Sequence, residues 1–168
     1  MSTRIVREGI VKEPPIEGEM LRISGEVTAE MPWLSGRDDV IAMVRPAFKD
    51  EEGNSLDPAP ASFHIPSATV TVDASYLKDS DGTEISPEKV FPSQYSNRKE
   101  YPGLWGAVIH EAAHAAHTGW LELLPASGQL PEGVNRHWLD AAILMEEPRI
   151  EHQQLRERGG DRRWLRAC

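Results

Sequence analysis

Two histidines four residues apart, His110 and His114, enclose a glutamate, Glu111, in the stretch HEAAH. On a helix of 3.6 residues per turn, positions i and i+4 lie about 40° apart on one face, so both imidazoles can bind one ion. Glu111 is turned about 100° from His110, which keeps it off the ion but within reach of a water held there. With zinc as the ion, the pKa of that water falls toward ~7, Glu111 takes its proton as general base, and the metal polarises a scissile carbonyl. The pattern therefore predicts hydrolysis.

Catalytic zinc takes three protein ligands and keeps one position open. The stretch MEEPRIE over residues 145–151 offers Glu146 and Glu147, and His137 is the third candidate. Glu147 leads, because Glu151 follows at i+4 on the same face, where a supporting carboxylate can hold a ligating imidazole by its second ring nitrogen. Pro148 interrupts this stretch and predicts a kink near Glu147. His117 shares the metal face by angle, yet seven residues from His110 is roughly 10.5 Å along the axis, too far for a shared ion. It reads as a structural or rim residue, and His64 and His152 carry no spacing signal. Tyr95, Tyr101, His137 and Arg149 are the candidates for stabilising an oxyanion.

The elements that must position these groups can be read in the flanking residues. Pro102 suits the first turn of a helix over residues 103–118, with Gly119 as its left-handed cap. Val108, Ala112, Ala115 and Gly119 form one apolar seam of that helix, and Ile109, Ala113, Ala116 and Trp120 another, so the helix is expected to be buried. Beyond a loop marked by Pro125, Gly128, Pro131 and Gly133, Asn135 is placed to cap a second helix whose apolar positions are Trp138, Ala142 and Met145. Asp161, after Gly159 and Gly160, is placed to cap a third, which carries an exposed apolar pair, Trp164 and Leu165. Ala68, Val70 and Val72 alternate with Thr69, Thr71 and Asp73 in a strand with one buried and one wet face. Residues 20–27 and 40–44 read as short β runs, with a helix from Asp38 competing for the second. Residues 49–60, rich in Pro, Gly and acids, read as an exposed loop.

The 168 residues are enough for one domain of α+β class: an irregular, β-rich part over residues 1–66, then a sheet edge and helical metal-site part over residues 67–168. A net charge of -9 argues against nucleic acid or an anionic membrane as partner. The basic cluster of Arg156, Arg158, Arg162, Arg163 and Arg166 is interleaved with Glu157 and Asp161 and reads as a solvated helix face. With Cys168 as its only cysteine, the chain has neither an intramolecular disulfide nor a thiolate pair for a metal. No apolar stretch follows Arg4, Arg7 and Lys12, and no run reaches the ~18 residues of a membrane span, which points to the cytoplasm.

Residues 102–115 and 145–151 resemble the zincin metallopeptidases, and within them the gluzincin pattern, in which a helix with HExxH precedes a helix bearing a glutamate and an acidic supporter four residues on. His110, Glu111, His114, Glu147 and Glu151 carry the match. The same two stretches resemble predicted metallopeptidases of actinobacteria and their phages, which are often joined to a von Willebrand A-like domain; no such domain fits here. The resemblance covers about residues 68–168. It implies a minimal zincin-like domain, with a small mixed sheet packed on the active-site helix and an edge strand along the cleft. Residues 68–73 are the candidate edge, to which a peptide can add by main-chain hydrogen bonds. The implied activity is zinc-dependent hydrolysis of a peptide or protein substrate, with zinc on His110, His114 and Glu147, Glu111 as base and Glu151 behind the ligands. Two other classes suit the same residues. One is a non-peptidase zinc hydrolase, though not a deformylase, which needs a cysteine upstream of the histidines. The other is a catalytically inactive zincin-like binding or structural protein, such as a component of a phage particle or a larger assembly.

Overall fold

The structure is a computed structural model that describes residues 3–6, 9–12, 16–46, 61–118 and 135–167. The expected loop over residues 49–60, the Gly119 cap, Trp120 and the loop leading to Asn135 lie outside the described residues. Among the described residues four α-helices and a three-stranded mixed sheet make an α+β fold, and a separate antiparallel pair, β1 (Thr3–Val6) and β2 (Gly9–Lys12), precedes them. Among the described residues no helix is long and apolar enough to cross a membrane.

Residues 20–27 belong to a helix, α1 (Gly18–Ser35), and not to the expected strand. Ile23, Val27, Met31 and Leu34 recur at helical spacing and are buried, whereas Leu21, which a period of two would bury with Ile23, is 60% exposed. Gly36 ends the helix in the left-handed conformation, at a φ of 70°, and its N–H returns to the carbonyl of Pro32. The next run does form a strand, β3 (Ile41–Arg45).

The sheet order is β3-β5-β4, with β5 (Thr69–Asp73) parallel to β3 and antiparallel to β4 (Ala61–His64). Residues 68–73 therefore supply the central strand and not the edge along a cleft. Thr69 and Asp73, expected to be wet, are buried at the two ends of the strand, where the Thr69 hydroxyl donates to the Ser67 carbonyl at 3.0 Å and the Asp73 carboxylate accepts from the Ser75 N–H at 2.6 Å, while Thr71 between them is half-buried. The outer edge of β3 is closed by α1: the Ser24 hydroxyl accepts from the Val44 N–H at 2.9 Å, and the Thr28 hydroxyl from the Ala42 N–H at 2.9 Å. The opposite edge belongs to β4.

The helix α2 (Pro102–His117) starts at Pro102 as anticipated and packs against α1, β4, β5 and two further helices, α3 (Arg136–Glu157) and α4 (Arg162–Leu165). Leu104, Trp105, Val108, Ile109 and Ala112 join Val44, Val70 and Val72 of the sheet and the buried face of α1 in one core. Buried Arg98 lies 3.9 Å over the Trp105 ring, pairs with Glu30 at 2.9 Å and ties the β5-to-α2 connection to α1.

Asn135 caps α3, accepting from the His137 N–H at 2.9 Å, and the helix continues through Pro148. Among its described side chains the buried ones are Glu146, Ile150 and Gln154, while Trp138 and Met145 are exposed, so the expected apolar stripe is not the one that packs. Asp161 makes no cap hydrogen bond; its buried carboxylate instead accepts from Gln154 at 3.1 Å and Arg158 at 2.8 Å. Trp164 is not exposed as anticipated but only 4% accessible and part of the core.

This difference gives a direct check. Trp164→Ala should cost about 3–5 kcal/mol, as for a buried large side chain, whereas Trp138→Ala, at a position 77% exposed, should stay within about 0.5 kcal/mol. Urea unfolding of the two variants reads the contrast, and equal losses would mean that Trp164 does not pack in the core.

Candidate metal centre

One turn of α2 separates His110 from His114, and their rings stand 5.1 Å apart, edge to face. Across from them Glu147 of α3 offers one carboxylate oxygen to each: Oε2 lies 2.8 Å from His110 Nε2 and Oε1 lies 3.4 Å from His114 Nε2. One donor atom from each of the three residues can be chosen so that all lie within 4.8 Å of one another. Ligands bound at ~2.0–2.2 Å in a tetrahedron stand about 3.3–3.6 Å apart, so this spacing suits a single ion. The group can hold a metal ion.

The second ring nitrogens are also engaged. His110 Nδ1 lies 3.3 Å from Glu151 Oε1, and His114 Nδ1 is 3.0 Å from Thr118 Oγ1, so each imidazole is held from behind and turns Nε2 to the shared point. Burial holds His114 below the usual imidazole range, against the pull of Glu147, and so favours the neutral ring that ligates metals.

Glu111 is not among the three donors. It is 6% exposed, and its pKa is raised from 4.5 to about 8 by burial and by the charge of Glu147, while the Phe63 backbone N–H, donating to the carboxylate, pulls it down. The three donors, Glu111 and Thr118 form one wall of a cavity of about 350 Å³ whose other wall is Ala61, Ser62, Phe63 and Ile65, on β4 and the turn after it. A buried carboxyl group able to take or give a proton thus faces the same space as a potential metal site.

Of the other candidate ligands, Glu146 is turned away into an ion pair with Arg149 at 2.6 Å, and His137 is exposed in the first turn of α3, outside the ligand group. None of the four oxyanion candidates lines the cavity. Tyr101 is buried in the core, Tyr95 packs edge-on to Trp164, and Arg149 is paired. His117 stays off the cavity and hydrogen-bonds Gln154 at 3.2 Å, and His64 contacts Ser67 at 2.8 Å. Two contributors went unread in the sequence: Thr118, which falls one helical turn after His114, and the Phe63 amide, which no side-chain pattern can reveal.

No family model matches the chain, and neither a curated protein nor a solved structure matches it.

The raised pKa of Glu111 has a signed consequence for the metal-free protein. Between about 4.5 and about 8 the folded state keeps a proton that the unfolded state has released, so this group's contribution to stability is complete below 4.5 and is lost as pH rises toward 8. Metal-free Glu111→Gln should lack that loss and exceed metal-free wild type at pH 8–9 by on the order of a few kcal/mol. Urea unfolding with chelator across this range measures it; parallel pH profiles would show that Glu111 ionises normally.

Proposed function

We propose that this chain is a zinc-dependent metallopeptidase of zincin type, in which His110, His114 and Glu147 hold the zinc and Glu111 is the general base. The observation that carries the reading is the buried Glu111 carboxyl, off the ligand group yet facing the same cavity. Two imidazoles and one carboxylate, with another carboxylate and a hydroxyl behind the rings, make a donor set suited to zinc. Zinc in such a site supplies Lewis acidity, polarising a carbonyl and acidifying water.

The remaining chemistry belongs to the chain itself. Glu111 takes a proton from the attacking water and returns it to the departing amine; in the metal-free protein burial and the charge of Glu147 raise its pKa to about 8, and zinc on the three donors would offset the charge of Glu147 and bring it down toward neutral pH, where both transfers are best served. The Phe63 N–H holds the Glu111 carboxylate in place. Glu151 and Thr118 keep the two rings from rotating. Among the described residues β4 has one partner strand, and its residues wall the cavity, so an extended peptide has main-chain groups against which to align.

A second reading has its own support. Among the described residues the cavity presents no Tyr, Arg or third His to a developing oxyanion, and such donors are typically worth 10²–10³ in rate. That favours a zinc-holding binding or structural protein built on the same site.

Reconstituted protein should hold one zinc per chain, and Glu147→Gln should weaken binding at least tenfold. Glu111→Gln should keep its zinc while hydrolysis of a diverse peptide library falls 10²–10⁴-fold. Zinc-loaded wild type and Glu111→Gln that are equally inert would establish the second reading. Equal, measurable cleavage by both would show that another group is the base, and failure to take up any transition metal would remove the site altogether.

A further inference from the structure

Glu146 and Glu147 are neighbours on α3 and so point about 100° apart. Glu147 reaches the histidines, while Glu146 is 4% exposed and receives the guanidinium of Arg149 in a fork: Nε to Oε2 at 2.6 Å and Nη2 to Oε1 at 2.6 Å. The same Nη2 donates to the carbonyl of His117 at 2.5 Å. His117 is the last residue of α2, and the final four carbonyls of a helix have no donor within it. Arg149 therefore joins the turn of α3 that bears Glu147 to the turn of α2 that begins at His114.

The join spans Pro148. Proline has no N–H to return to the carbonyl of Leu144, so the turn carrying Glu147 lacks one of its own helical hydrogen bonds. Its place against α2 must be fixed from outside the helix, and a buried carboxylate stays buried only while it is paired.

Taking the metal site of the proposed function as given, we infer that Arg149, through its fork on Glu146 and its bond to the His117 carbonyl, is a positioning residue that sets how closely Glu147 approaches His110 and His114. It belongs neither to the three donors nor to the cavity wall. A planar guanidinium can make both bonds at once, whereas an ammonium, a compact point charge, gives a looser joint. Arg158 forms a comparable joint just past the other end of α3, from Asp161 at 2.8 Å to the Trp33 carbonyl at 3.0 Å, but contacts none of the ligands. It is the natural control.

The experiment measures zinc affinity of the full chain by chelator competition, the visible absorption of its cobalt(II) form and the stability of the metal-free form. Arg149→Met should weaken zinc at least tenfold, Arg149→Lys should recover part of the loss, and Glu146→Gln should weaken zinc as well. Arg158→Met should lose stability yet bind zinc within about twofold of wild type. At saturating cobalt the absorption of Arg149→Met should keep the wild-type shape, since the ligands are unchanged, whereas Glu147→Gln should alter it. If Arg149→Met does not fold, the Lys and Glu146→Gln variants decide the matter by affinity. Wild type that takes up no zinc overturns the metal reading and this inference with it. Wild type that binds zinc while the Arg149 and Glu146 variants bind as tightly, or while Arg158→Met loses as much affinity as Arg149→Met, overturns the inference alone.

Discussion

Two imidazoles from one helix and a carboxylate from another can meet within 4.8 Å only where the helices pack closely side by side. Much of the fold serves that approach. α2 is buried nearly all round, and Gly106, Ala107, Ala112, Ala113 and Ala115 keep its surface narrow, so that two strands and three helices can crowd against it. A wider helix in that place would push α3 away and take Glu147 out of reach. The alanines around His114 are therefore part of the site although none touches a donor atom.

The sheet contributes through its asymmetry. The N–H groups along the outer edge of β3 are satisfied by hydroxyls of α1, which closes that side to further pairing. The other edge, β4, adjoins the cavity and gives the Phe63 N–H to Glu111. Unlike edges on one three-stranded sheet thus separate the side that stabilises from the side that meets the site. Ser24 and Thr28 are as necessary to this division as the residues facing the cavity, because an unprotected β3 would leave two competing edges.

What could be read in the sequence was what helical spacing encodes. The four-residue interval of His110 and His114, Pro102 at the start of α2 and Asn135 ahead of α3 are local signals, and the elements they imply are present. α1 was lost because a window over residues 20–27 is too short to tell a period of 3.6 from a period of 2; adding Met31 and Leu34 resolves it. The position of β5 at the centre of the sheet depends on partners far away in the chain, and Thr69 and Asp73 are buried by neighbours that alternation cannot report. The packed stripe of α3 is two-thirds polar, Glu146 and Gln154 around Ile150, so a search for apolar residues selects the exposed Trp138 and Met145 instead.

Helical spacing sets Glu111 apart from the ligands but leaves Glu146 beside Glu147 as a candidate donor, and the surroundings of the two separate them. Glu147 is half-exposed and meets two ring nitrogens, a setting that rewards negative charge at a fixed point. Glu146, one residue earlier, is buried against a guanidinium and is consumed in holding two helices together. Glu111 is as deeply buried as Glu146 but receives only a backbone amide, and the charge of Glu147 lies near it, so its carboxyl group resists ionisation. Three carboxyl groups of one type thus stand in three settings: one in a group that can hold a metal ion, one in an ion pair between two helices, and one buried against a backbone amide. Among the described residues Glu111 makes no ion pair with Arg or Lys, and in the metal-free protein burial and the charge of Glu147 keep its proton on toward a pKa of about 8, whereas Glu146, equally buried, stays ionised because Arg149 faces it.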